Sequence, residues 1–146
     1  MEEEQDPGAA LALVRETRRA AAERVRAPAW YHPAVGAVIG IMIGSLESSR
    51  NTGLVAIALS ILALLMVHYQ KHTGTWVNGF TAGGPRSRRM MWGGMALIFG
   101  VTAVAAWLKF ARGVDGVMIA AGIAVALFAT WLGFAWERRF REEAGA

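Results

Sequence analysis

Residues 116–136 read GVMIAAGIAVALFATWLGFAW, a run of 21 residues with no Asp, Glu, Lys or Arg. Wound as a helix at about 1.5 Å per residue, such a run covers roughly 30 Å, the thickness of a bilayer's hydrocarbon core. Ala27 to Leu46, Asn51 to Gln70 and Met90 to Leu108 are also free of charge, over 20, 20 and 19 residues. The 146 residues are 55% hydrophobic and 18% charged, whereas soluble domains lie near 45–50% and about 25%. These counts exclude a soluble cytoplasmic enzyme. They predict an all-α integral membrane four-helix bundle of two transmembrane hairpins, with spans near 33–48, 52–69, 90–108 and 115–136.

Polar punctuation separates the runs. Glu47 to Thr52 forms a short turn, and Lys109 to Asp115 a second, so each pair of flanking spans is an antiparallel hairpin. Asp115 is placed to cap the last helix. Residues 70–89, rich in Gly and Thr and holding Arg86, Arg88 and Arg89, are too polar to span and form a loop. Residues 137–146 are a charged tail that continues the last helix before fraying.

Residues 1–29 precede the spans. Asp6 and Pro7 signal a helix start, and an Ala-rich helix carrying Arg15, Arg18, Arg19, Arg24 and Arg26 runs to about Ala27. Its apolar stripe of Leu11, Val14, Ala21, Ala22 and Val25 is narrow, because Arg18 interrupts it. Two readings stay open: an amphipathic helix lying on anionic headgroups, or a solvated cytoplasmic helix. The acidic start, MEEEQD, lacks the basic region of a secretory signal, so no cleaved leader is expected.

Outside the spans, twelve Lys and Arg fall in the amino-terminal segment, the 70–89 loop and the tail; Arg50, Lys109 and Arg112 are the other three. This asymmetry places both termini and the long loop in the cytoplasm, in a multi-pass plasma-membrane topology. It also accounts for the net charge of +4 without nucleic acid as a partner. The expected partners are membrane lipids, with a second copy or another membrane protein as the alternative.

Small residues recur at helical spacing. Gly36, Gly40 and Gly44 share one face of the first span. Gly93, Ala96, Gly100 and Ala103 do so on the third, and Gly122, Ala126, Ala129 and Gly133 on the fourth. Such stripes let backbones approach closely, either within the chain's own bundle or across a dimer interface. Glu47 lies at the end of its span, three residues from Arg50, so an interfacial ion pair between them or a headgroup contact is expected. That position argues against export coupled through a carboxylate deep in a span. His68 and His72 lie four residues apart, with His32 at similar depth. The spacing would suit a metal, but no carboxylate accompanies the set and the chain has no cysteine. No metal, no cofactor and no catalytic residue is therefore expected. Trp30, Trp76, Trp92 and Trp136 mark one membrane boundary and Trp107 the other, while Trp131 is expected to face lipid.

Ala29-Trp30-Tyr31-His32-Pro33-Ala34 and Thr73-Gly74-Thr75-Trp76-Val77-Asn78-Gly79, with the Arg- and Ala-rich first helix, resemble a group of small four-span membrane proteins of high-GC actinobacteria that have no assigned activity. The resemblance implies a bacterial plasma membrane and one cytoplasmic-side cluster of Trp30, Tyr31, His32, Trp76 and Gly79; His68 and His72 are candidates for the same cluster.

Three functions follow as expectations. The first is a non-enzymatic packing or partner-interaction protein. The second is a small transporter or channel subunit working as an oligomer. The third is a membrane-embedded enzyme on a lipid or isoprenoid, with His32, His68, His72 and the Trp76 loop as its site. An enzyme predicts a cavity opening toward His32 and Trp76, whereas a protein that only packs predicts none.

Overall fold

The computed structural model describes Gly8 and residues 11–14, 16–17, 27–73, 80 and 84–144. Its elements are α1 (Tyr31–Ser45), a 3-10 turn (Ser49–Asn51), α2 (Thr52–Thr73), α3 (Pro85–Arg112) and α4 (Val117–Ala144), and no strand occurs among the described residues. In the amino-terminal helix, Gly8, Leu11 to Val14, Glu16 and Thr17 are helical, and Thr17 Oγ1 donates to the Leu13 carbonyl at 2.8 Å. The arginines that define its amphipathic face lie outside the described residues.

Three helices, α2, α3 and α4, are long and apolar enough to cross a membrane, while α1 is a shorter apolar helix of 15 residues. By helical rise α1 covers about 22 Å. It begins after Pro28, whose carbonyl accepts from Tyr31 N–H at 2.9 Å. Pro33 sits in its first turn, where the missing N–H would have had no helical partner. It ends in a tightened turn, Leu46 N–H to Ile43 and Glu47 N–H to Gly44, both at 3.1 Å. The expected span of 33–48 is thus cut short at its polar end.

The expected loop at 70–89 is also trimmed. Helix α2 runs on to Thr73, and α3 starts at Pro85, so Arg86, Arg88 and Arg89 form the basic first turn of a helix. Helices do not stop where apolarity stops. Pro85 is pre-set for the first helical position, and Glu143 from the end of α4 supplies the missing acceptors. Its carboxylate takes Gly84 N–H and Arg86 N–H at 3.0 Å and Ser87 N–H at 3.2 Å. Glu143→Ala is expected to fray the start of α3. Hydrogen exchange in detergent should rise across residues 84–88 and stay unchanged in α1.

At the other end α3 closes on Gly113, whose left-handed φ of 67° suits a residue without a Cβ. Gly113 N–H returns to Lys109 and Val114 N–H to Leu108, both at 3.1 Å, which satisfies the last carbonyls before the chain turns into α4.

Antiparallel α1 and α4 form the central pair. Helix α2 packs on α1 and α3 on α4, with at most slight contact between α2 and α3. Gly36, Gly40 and Gly44 meet Gly122, Ala126 and Thr130 of α4 almost backbone to backbone. A Cβ on Gly40 would stand 2.6 Å from the Gly122 carbonyl oxygen and 2.7 Å from Ala126 Cβ. The first span's stripe is therefore consumed inside the chain and is not free for a partner.

Gly93 and Gly100, expected to pack, instead have nothing within 4 Å of where a Cβ would be. The face of α3 turned to α4 carries Ser87, Gly94, Ile98 and Ala105, all buried. Glu143 fixes that rotation by holding the Ser87 amide, and Leu132 of α4 then fills the space beside Gly94.

Candidate functional site

Two groups of polar side chains clamp the central pair at its ends. At the hairpin end, Glu47 follows the last turn of α1. Lys109 Nζ donates to Glu47 at 2.6 Å and to Asp115 at 2.7 Å. Gly116 N–H and Met118 N–H donate to the two Glu47 oxygens at 2.8 and 3.0 Å. Glu47, and not Asp115, therefore caps α4, favourably placed at the positive end of that helix. No ion pair joins Glu47 to Arg50 among the described residues, because Lys109 and the α4 amides occupy the carboxylate.

Hydrogen bonding from Lys109, then from Gly116, holds the Glu47 carboxyl below its ordinary value of 4.5. A carboxylate with a lowered folded-state pKa contributes stability that is fully present above the ordinary value. That contribution is lost as pH falls through the lowered one. The melting temperature in detergent should fall on acidification in that window. Glu47→Gln should start lower at neutral pH and respond less to acid there.

At the opposite end, His32 Nε2 lies 2.9 Å from Glu137 Oε2, with side-chain exposures of 13% and 10%. Gly133 makes room for the imidazole, since a Cβ there would collide with the ring. Phe134 meets the ring edge-on at 4.9 Å between centroids. Tyr31 stacks on Tyr69 at 4.6 Å, and Trp30 lies 5.7 Å from His68. The start of α1 is thus fastened to α2 on one side and to α4 on the other.

Trp30, Tyr31, His32 and His68 form a chain of neighbouring rings, whereas Trp76, Gly79 and the His72 side chain lie outside the described residues. His32 turns to α4 and His68 to Trp30, and among the described residues no group of three His, Cys, Asp or Glu is placed to hold a metal. Glu137 was legible only as the start of a charged tail. It lies one residue past the apolar run, at the depth of His32, and that coincidence was the available signal.

Beside this pair lies a cavity of about 330 Å³. The α1–α4 pair floors it, and α2 and α3 flank it through residues such as Leu62, Met66, Met91 and Met95. It exists because α2 and α3 lean on different members of the central pair. Trp136, expected in the boundary belt, lines it and is 7% exposed; its indole Nε1 is buried and has no hydrogen-bond partner among the described residues. Trp131, by contrast, is 58% exposed, on the outside. The cavity lies on the His32 side, where the sequence reading places one for an enzyme and none for a protein that only packs.

No protein-family model, curated protein or solved structure matches the chain.

Proposed function

We propose that the chain is a non-enzymatic, multi-pass protein of a bacterial plasma membrane that acts by binding a partner within the bilayer, with both termini cytoplasmic. Its charges support the membrane setting. His32–Glu137 and Glu47–Lys109–Asp115 form two polar layers, about 28 Å apart along α4 by helical rise. No charged side chain lies between them on any of the four helices. The outer faces are apolar, with Phe110 74%, Leu127 70% and Phe99 67% exposed, a polarity that water would not tolerate over so large a surface. Helix α1 fits the same thickness because its flanking turns and the reach of Glu47 add to its 15 residues.

The single observation that carries binding over packing alone is the cavity beside His32. Its polar lining is the His32 imidazole and the Tyr31 and Tyr69 side chains, with Glu137 behind the imidazole. No Ser, Thr or Lys is among the described lining residues, which is why binding is preferred to catalysis. The test is purification in native nanodiscs, followed by lipid and protein mass spectrometry. A companion at fixed stoichiometry is expected. Recovery with bulk-membrane lipid alone and no protein partner contradicts the proposal.

The enzyme alternative rests on His32–Glu137 as an acid–base pair beside the cavity. It predicts turnover of a bound lipid that His32→Gln abolishes.

A further inference from the structure

We infer that the arginine-lined cleft where the start of α3 meets the end of α4 holds the phosphodiester head of an anionic phospholipid such as phosphatidylglycerol. This site goes beyond the binding role of the cavity and shares no lining residue with it; the two have only the membrane setting in common. Glu143 holds the two helix ends side by side through the Gly84, Arg86 and Ser87 amides. Between them lies a cleft of about 420 Å³, lined by Arg86 of α3 and by Arg139, Glu142 and Glu143 of α4.

The charges of the lining are not equivalent. Glu143 is engaged by three backbone amides, and Glu142 lies 4.0 Å from Arg138 outside the cleft. Arg86 and Arg139 are exposed, and among the described residues neither has a carboxylate within ion-pair distance. The amides at the start of α3 are already taken, so an incoming anion meets the two guanidinium groups. Their planar forks match pairs of phosphate oxygens. A zwitterionic head would bring an ammonium as well, and the one carboxylate open to it already faces Arg138.

Depth selects a lipid over a free anion or an acidic peptide. Arg139 lies three residues past Trp136 and Arg86 four residues before Met90, where the charge-free segments end. By helical rise the cleft sits about 4–6 Å outside those segments. That is headgroup depth, since the polar layers add about 5–7 Å to each side of the hydrocarbon core. Leu97 stands eleven residues after Arg86, and Trp131 eleven before Glu142. Eleven residues are close to three full turns, so each lies directly below a residue of the cleft. Both are on the outside, 51% and 58% exposed. The cleft therefore opens onto apolar surface along which acyl chains lie, and a basic pocket between helix ends at this depth suits a lipid phosphate.

The full chain in detergent is titrated with phosphatidylglycerol and read by native mass spectrometry, with phosphatidylethanolamine, inorganic phosphate and hexaglutamate as comparison ligands. One phosphatidylglycerol per chain is expected, with weaker phosphatidylethanolamine and no displacement by phosphate or hexaglutamate. Arg86→Gln and Arg139→Gln should each weaken it about fivefold; if one variant unfolds, the other decides. Arg88→Gln, on the flank of α3 turned to Met95, and Arg112→Gln, at the far end of that helix, should stay within about twofold. Equal weakening by Arg88→Gln would mean diffuse attraction to a basic helix end and no site in the cleft. Absence of saturation, equal affinity for phosphatidylethanolamine, displacement by phosphate or hexaglutamate, or unchanged affinity in both cleft variants also overturns the assignment. Such a failure leaves the cavity's binding role standing, and lipid lost on Arg86→Gln belongs to the cleft and not to the cavity.

Discussion

Gly40→Ala is expected to disrupt the α1–α4 pair although it adds one methyl group. The new Cβ would sit 2.6 Å from a backbone carbonyl oxygen and 2.7 Å from the Ala126 methyl. Neither is the end of a flexible chain, so relief requires the two helices to separate. Overpacked cores lose about 1–3 kcal/mol, and occasionally more. Gly40→Ile should exceed that range, since its branches must also be housed. Gly93→Ile is the matched control, because nothing lies within 4 Å of that position, and its effect should stay within about 0.5 kcal/mol. Thermal unfolding in one detergent ranks the three. Equal melting temperatures for Gly40→Ile and Gly93→Ile would mean that the two helices are not in this contact.

His32→Ala should be the second most damaging change. Glu137 is 8% exposed and lies within hydrogen-bond distance of His32 Nε2, at 2.9 Å. Removing the imidazole leaves the buried carboxyl without that partner, at a typical cost of about 1–3 kcal/mol. The imidazole also fills the space that Gly133 leaves, so a small void adds to the loss. His32→Gln restores a donor and most of the volume and should recover part of the melting temperature. Glu137→Gln should be milder than His32→Ala, since an amide can still hydrogen-bond to the ring.

These two sites show what the sequence made legible. The glycine stripe of α1 and its partner face on α4 were readable, because intervals of four on a charge-free run leave few alternatives. The stripe at Gly93 and Gly100 was equally regular yet faces outward. Spacing identifies a face but not its neighbour, and the rotation of α3 is set by Glu143, 56 residues away from Ser87. For the same reason Glu47 was read against Arg50, its nearest basic residue in sequence, whereas the fold delivers Lys109 from 62 residues away. Local rules saw Asp115 as the cap of α4. They could not see that a carboxylate from another helix would arrive in better position and leave Asp115 to Lys109. The cavity was the least legible feature, since it arises from how α2 and α3 lean and no motif encodes it. Trp136 looked like one more boundary aromatic, and only its burial without an acceptor among the described residues sets it apart.

The most direct test uses the chain's lack of cysteine. Single cysteines are introduced at Ser48, Val114, Arg88 and Arg138, all exposed near helix ends, and intact cells are treated with a membrane-impermeant maleimide. Ser48→Cys and Val114→Cys should label from outside, and Arg88→Cys and Arg138→Cys only after permeabilisation, with all protein in the membrane pellet. Labelling of Ser48 and Val114 on opposite faces, or recovery of the chain in the soluble fraction, would contradict the account.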